Sequence, residues 1–199
     1  MKILTRILAL ALAAVALQAG AQNYPTRPVR AIIAFPAGSA TDIIGRVILA
    51  KVSEIGGQQV VADNRGGAGG SIASAIAAKA TPDGYTLIIN SNAHVVNPSM
   101  FAKLPYDTVK DFVDIMPLVG QPNVMVVGPG SKLNSFGDFL SFARANPGKI
   151  NFAFAGLGSG THLNSEKLKL DAKIEFTLIS YKGSADAIND VVGGRVDTY

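Results

Sequence analysis

The sequence predicts an α/β fold with mostly parallel sheets flanked by helices, and three observations carry that expectation. Short apolar runs of strand length alternate with longer segments of helical periodicity along the chain. The joints between them are rich in glycine and small hydroxyl residues, whereas a β-meander would show two-residue hairpin turns. The composition, 48% hydrophobic and 16% charged over 199 residues, is enough to cover both faces of such a sheet.

The first element is of another kind. Lys2 and Arg6 precede an unbroken apolar run from Ile7 to Leu17, and Ala19-Gly20-Ala21 follows as a small-x-small pattern. This is the layout of a cleaved secretory signal peptide over residues 1–21, and the run is too short for a stable membrane span. No cysteine follows it, so a lipid anchor at the cleavage site is excluded. No later apolar stretch approaches 18 residues.

Val29 to Phe35 reads as a buried strand. Ile43, Ile44, Val47, Ile48, Val52 and Ile55 recur at helical spacing and predict one buried helix face, ended by Gly56-Gly57. Val60 to Ala62 is a short strand, Ser71 to Ala80 an alanine-rich helix stopped by Pro82-Asp83-Gly84, and Thr86 to Asn90 the next strand. Gly128-Pro129-Gly130, after a strand at Asn123 to Val127, marks either a domain boundary or an ordinary turn. Helices follow at Phe136–Ala145, Leu163–Leu170 and Ala185–Val192, alternating with strands at Asn151–Ala155 and Phe176–Ile179. Arg195 to Tyr199 begins a further strand with no covering helix, which reads as an interrupted unit with an exposed apolar face and a tendency to aggregate. No convincing internal repeat is visible, although both halves use a strand, a small-residue loop and a helix in succession.

Charge and cysteine content exclude several functions. Two of the 18 basic residues lie in the leader, and the remainder nearly balance 14 acidic residues without a basic cluster, so nucleic acid is not an expected partner. With no cysteine there is no disulfide, thiolate metal site or cysteine nucleophile, and two histidines cannot build a histidine-rich metal site. No metal and no cofactor is expected.

In an open α/β sheet, ligands sit beyond the carboxyl ends of the strands, where unpaired N–H groups at helix starts attract anions. The loop Ala37-Gly38-Ser39-Ala40-Thr41-Asp42 is either such a socket or simply a well-capped turn. Gly156-Leu157-Gly158-Ser159-Gly160-Thr161-His162 is a second loop of the same character; its glycine spacing is not that of a dinucleotide site, and Ser159 lacks the G-x-S-x-G frame. His162 is either a ligand contact or a helix-start residue. Asn64-Arg65-Gly66-Gly67 is not a P-loop, and Arg65 either contacts an anionic ligand or, as expected of such an arginine, pins its own loop to backbone carbonyls. Ser91-Asn92-Ala93-His94 follows a strand and is placed to line the same cleft, as is Tyr181-Lys182-Gly183-Ser184 in the second half, where Lys182 reads as solvated surface.

These residues give the sequence a resemblance to the periplasmic substrate-binding proteins of tripartite tricarboxylate transporters, the Bug/TctC family. It rests on Phe35-Pro36-Ala37-Gly38-Ser39-Ala40-Thr41-Asp42, Asn64-Arg65-Gly66-Gly67-Ala68-Gly69-Gly70, Pro82-Asp83-Gly84-Tyr85-Thr86-Leu87, Leu104-Pro105-Tyr106-Asp107, Ala145-Asn146-Pro147-Gly148-Lys149, Gly158 to Leu163 and Tyr181-Lys182-Gly183-Ser184, in that order. The first loop has Ala37-Gly38-Ser39 where the family usually has Pro-Gly-Gly, and Gly67 stands where proline is common. The resemblance implies a type II-like, two-lobed periplasmic protein, with lobe 1 at residues 22–122 and an incomplete lobe 2 at 123–199. It implies a monomer that captures a small carboxylate-bearing solute for the membrane subunits of the transporter, with roughly a third of the mature protein absent. The implied ligand contacts are Phe35, Ala37, Gly38, Ser39, Thr41, Asp42, Ser91, Gly158, Ser159, Thr161 and His162, with no catalytic residue. Two other classes compete, an exported α/β hydrolase and a nonfunctional truncated fragment of a binding protein; turnover of an ester would mark the first.

Export predicts that the product recovered from the periplasm begins at Gln22. Intact-mass measurement checks this, and a chain retaining Met1 in the membrane fraction contradicts it.

Overall fold

The computed structural model describes residues 24–120 and 122–199, so the expected signal peptide at 1–21 lies outside the described residues. The order of elements is β1 (Val29–Ile33), α1 (Ala40–Gly56), β2 (Val60–Asn64), a single 3-10 turn at Ala68–Gly70, α2 (Ser71–Ala78), β3 (Thr86–Ile89), α3 (Ala93–Met100), α4 (Phe136–Ala145), β4 (Asn151–Phe154), α5 (Gly160–Ala172), β5 (Thr177–Ser180) and α6 (Ser184–Val192). The first sheet is parallel in the order β2-β1-β3, with Val29 opposite Val60 and Arg30 opposite Thr86. In the second, β4 and β5 are parallel, with Phe152 opposite Leu178. An α/β layout with parallel sheets flanked by helices is therefore what the chain adopts.

The central strand β1 explains the first sheet's order. Ala31, Ile32 and Ile33 are fully buried, because helices cover both sheet faces and a strand between two partners has no wet side. One face packs Ile32 with Phe35, Ala73 and Ala93; the other packs Ala31 and Ile33 with Leu49. The second sheet rests on aromatic rings. Phe152 stacks on Phe176 at 4.8 Å between centroids, and the fully buried Phe139 of α4 meets both at 6.2 and 6.0 Å.

Four elements differ from expectation. Helix α1 buries Asp42, Gly45 and Leu49, while Ile43, Val47 and Ile55 are 57%, 70% and 76% exposed. Gly45 decides this orientation: a methyl group there would lie 3.2 Å from the Ile89 side chain and 3.5 Å from that of Ile33. The helix thus docks by its small residue, and the apolar stripe turns outward. The expected strand at Asn123–Val127 is reduced to an antiparallel bridge between Val127 and Thr198, with Val126 and Tyr199 exchanging backbone bonds of 2.8 and 3.0 Å. Thr198 bridges Phe152 in parallel on its other side, so the expected strand Arg195–Tyr199 is a short ribbon between β4 and residues 126–127. Helix α3 was hidden by Pro98, which stands inside it.

The ring cluster is the second sheet's anchor, so Phe139→Ala should destabilise the chain by about 3–5 kcal/mol. Urea unfolding followed by circular dichroism checks the value, and a loss below about 1 kcal/mol contradicts the packing described.

Candidate functional site

Two loops are built alike, residue for residue. After β1, Ser39 N–H donates to the Pro36 carbonyl; after β4, Ser159 N–H donates to that of Gly156, both at 3.1 Å. Gly38 and Gly158 take φ of 78° and 73°, a conformation unfavourable for other residues. Each following serine is extended and caps its helix. Ser39 Oγ accepts from Asp42 N–H at 3.3 Å, and Ser159 Oγ accepts from His162 N–H at 3.2 Å. The side chain at that same position then reaches back: Asp42 Oδ2 accepts from Gly38 N–H at 2.9 Å, and His162 Nδ1 accepts from Gly158 N–H at 3.2 Å. The pattern is Gly-Ser-x-Thr-Asp in one loop and Gly-Ser-x-Thr-His in the other. The shared Gly-Ser-x-Thr is visible in the sequence, but four residues are too few to stand out as a repeat.

The caps decide which N–H groups stay free. At each helix start the third N–H is capped by serine, and the first two have no acceptor within the helix. Those are Ala40 and Thr41 in α1, and Gly160 and Thr161 in α5. All four line one cleft of ≈ 1010 Å³.

Behind the first loop lies an ionic brace. Asp42 is buried and accepts from Asn64 Nδ2 at 2.9 Å and from Arg46 Nε at 2.8 Å; Asn64 also donates to the Phe35 carbonyl and accepts from Arg46. Burial alone would raise the Asp42 pKa, but the bonds from Asn64 and Gly38 and the Arg46 charge outweigh it, holding the carboxyl below its usual range. Arg65 pairs at 2.8 Å with the Asp63 carboxylate of β2, where the sequence led us to expect backbone carbonyls of its own loop, and Lys182 is exposed. The bond from Arg30 to Asp63 leads the causes that depress the Asp63 pKa.

The cleft runs between the two sheets. Of the expected contacts, Phe35, Ser39, Thr41, Ser91, Ser159 and Thr161 line it. Ala37, Gly38, Asp42, Gly158 and His162 stand outside its wall, and the last four hold the loops in shape. Asn92 and Ser184, in two further segments the sequence pointed to, also line it, and so do residues not expected from sequence, among them Asn123, Asn164 and Tyr199. Among the described residues that line it there is no Asp, Glu, Lys, Arg or His. Among the described residues there is no group of three His, Asp or Glu side chains placed to hold a metal ion.

Neither serine–histidine contact has the geometry of a nucleophile and base. His162 Nδ1 is occupied by Gly158 N–H, not by the Ser159 hydroxyl. Ser74 lies 3.1 Å from His94 Nδ1, but it is fully buried and its hydroxyl donates to the Gly70 carbonyl. Burial lowers the His94 pKa, partly opposed by a backbone bond at Thr108.

Residues 44–199 match the model of the tripartite tricarboxylate transporter family receptor. The chain belongs to this family. Within it, the chain is 44% identical over 174 residues to the "UPF0065 protein in tcbD-tcbE intergenic region" of Pseudomonas sp. (strain P51), covering 87% of this chain and 52% of that one. It is 37% identical to "Protein BugT" of Bordetella pertussis, covering 97% and 61%. The structure "R. palustris Rpa4515 with adipate" superposes with a TM-score of 0.85 at 36% identity, over 88% of this chain and 59% of that one. MatC from Rhodopseudomonas palustris with bound malate gives 0.79 at 30% identity, over 88% and 60%. This family member thus spans between half and two thirds of the length of these relatives.

The Asp42 brace predicts an acid-sensitive loop. A carboxyl whose folded pKa lies below the ordinary 3.8 binds fewer protons folded than unfolded, so its contribution is complete above that value and fades as pH falls through the folded pKa. Asp42→Asn should lower stability by about 1–3 kcal/mol at neutral pH and flatten the loss of stability between about pH 4 and pH 2. Urea titrations across that range check both, and an unchanged pH slope contradicts the brace.

Proposed function

We propose that the chain binds a small carboxylate-bearing solute in this cleft, as the periplasmic receptor component of a tripartite tricarboxylate-type transporter. One observation carries the reading: the four N–H groups left free at two helix starts belong to residues lining one cleft whose described lining holds no charged side chain. An anion there meets oriented N–H donors and the positive ends of two helix dipoles, together worth about one half-charge each. The relatives solved with adipate and malate bind the corresponding kind of solute. Binding without turnover fits the Ser159 and His162 arrangement, in which both side chains serve their own helix start.

In this reading lobe 1 comprises residues 22–122 and lobe 2 begins at 123, each contributing one loop of the pair. The chain acts as a monomer in the periplasm and hands its ligand to membrane subunits. Among the described residues no helix is long and apolar enough to cross a membrane. Ser39 and Ser159 act as caps first, and Thr41 and Thr161 present hydroxyls toward the ligand. Thr161 Oγ1 also bonds Ser159 Oγ at 3.0 Å and accepts from Ala155 N–H, which fixes its rotamer.

Thr41→Ala and Ser159→Ala should each weaken carboxylate binding by ~1–2 kcal/mol, or roughly fivefold to thirtyfold. Ser159→Ala should also lower folding stability by about 1 kcal/mol through the lost cap, and Thr41→Ala should not. Isothermal titration with adipate, malate and monocarboxylates, beside thermal melts, checks this; unchanged affinity in both variants contradicts the site.

A further inference from the structure

The glycine loop that follows β2, from Gly66 to Gly70, contributes no residue to the cleft wall. It nonetheless touches three of the segments that do. In the first loop Gly66 lies against Pro36, whose carbonyl ties the turn leading into α1. A methyl group at Gly66 would sit 2.7 Å from Pro36 Cδ and 2.9 Å from the Pro36 backbone nitrogen. At the end of β3, Gly70 lies against Asn90, a residue of the cleft wall; a methyl group there would sit 2.8 Å from Asn90 Oδ1. In the second loop Gly69 lies against Leu157, and a methyl group at Gly69 would run into the Leu157 carbonyl oxygen. Pro36 and Leu157 present backbone atoms, which cannot swing aside as the tip of a side chain can.

The glycine loop is itself held in place. Asn97, fully buried on α3, donates to the Gly69 carbonyl at 3.2 Å, and the Ser74 hydroxyl of α2 donates to the Gly70 carbonyl at 3.1 Å. Gly70 N–H closes the turn onto the Gly67 carbonyl at 3.0 Å. A segment fixed in this way acts as a spacer between its neighbours.

We propose that Gly66, Gly69 and Gly70 are positioning residues of the site, whose missing side chains set the spacing between the start of α1, through Pro36, and the start of α5, through Leu157. The proposal rests on the carboxylate reading of the cleft and adds what fixes its geometry. The free N–H groups of Ala40 and Thr41 follow Pro36 within five residues, and those of Gly160 and Thr161 follow Leu157 more closely still. Donor–acceptor distances in good hydrogen bonds span only about 2.7–3.2 Å, so a solute held at both starts is sensitive to small changes in their separation. Binding constellations tolerate displacements of about 0.5 Å before they loosen.

Two alanine variants separate this role from backbone strain. Gly69 and Gly57 have φ of 60° and 65°, so alanine is strained at both, but nothing lies within 4 Å of a methyl group at Gly57. The chain has no cysteine, so Val47→Cys and Leu170→Cys, at exposed positions of α1 and α5, accept a pair of nitroxide labels. In Gly69→Ala the second loop must withdraw by about 1 Å or more to restore ordinary contact, so the label distance should lengthen or broaden. In Gly57→Ala it should match that of the unaltered chain. Isothermal titration with adipate, malate and hexanoate should show binding weakened roughly tenfold or more in Gly69→Ala and less than about twofold in Gly57→Ala. Gly66→Ala, at a position without positive φ, is measured in the same two ways and should weaken binding through Pro36; it keeps the test open if Gly69→Ala does not fold. Label distances in Gly69→Ala and Gly66→Ala equal to that of the unaltered chain overturn the proposal, as does unchanged affinity in both. Equal losses of affinity in Gly69→Ala and Gly57→Ala also overturn it, because strain alone then accounts for them. If the unaltered chain binds none of the three acids, the carboxylate reading falls and the label distances decide the spacing by themselves.

Discussion

The site depends on how the two loops satisfy their own hydrogen bonds. A buried helix start normally presents several unpaired N–H groups, which must be capped by side chains, met by water or met by a ligand. Here Ser39 and Ser159 each cap the third N–H, while Asp42 and His162 each close the N–H of the preceding glycine. The donors on either side are thereby removed from competition, and those of Ala40, Thr41, Gly160 and Thr161 remain. A loop whose donors are already oriented loses little entropy when an anion arrives, which is the meaning of preorganisation.

That arrangement explains why the cations stay behind the wall. Arg46 is 2.8 Å from Asp42 and also holds Asn64, so its charge is neutralised within the brace. A free arginine fork in the cleft would hold a carboxylate by two charge-assisted bonds, which are among the strongest available. Dipoles and N–H groups bind more weakly and discriminate by position. A receptor that must release its cargo is served by the second kind of site. Aspartate serves in one loop and histidine in the other because the position needs only an acceptor that can reach back four residues. Neutral imidazole with Nδ1 unprotonated meets that need, and it stacks on Phe154 at 4.5 Å between ring centroids.

Much of this was legible in the sequence, and the failures have physical causes. The order of strands and helices followed from apolar runs and small-residue joints, whereas Arg65 took the Asp63 carboxylate as its partner because an ion was nearer than the loop's carbonyls. The buried face of α1 was not legible, because periodicity counts apolar residues and cannot weigh one glycine that permits close approach. Gly45 fixes the helix against Ile33 and Ile89 and leaves Ile43 and Val47 outward. Helix α3 was masked by Pro98 and by asparagines that favour turns in isolation. Asn97 is nonetheless fully buried, donating to the Gly69 carbonyl at 3.2 Å and to Tyr106 Oη at 3.3 Å. The role of His162 stayed open because a ring that caps its own loop and a ring that contacts a ligand have the same sequence signature.

Asn97 also bears on how the two sheets meet. Its amide nitrogen is satisfied, while its Oδ1 is buried without a partner among the described residues, beside Gly69 and Gly158. A methyl group at Gly69 would run into the Leu157 carbonyl oxygen, and one at Gly158 would lie 3.3 Å from Asn97 Oδ1. The halves approach here through the backbone of Leu157 and Gly158 and the Asn97 side chain, with Ala93 and Met100 each 3.9 Å from where a methyl group at Gly158 would lie. An unpaired buried carbonyl costs about 1–3 kcal/mol, and separating the halves would return it to water. In the proposed reading a ligand gripped by both loops at once adds to this contact, which ties the geometry of the two helix starts to the closeness of the two sheets.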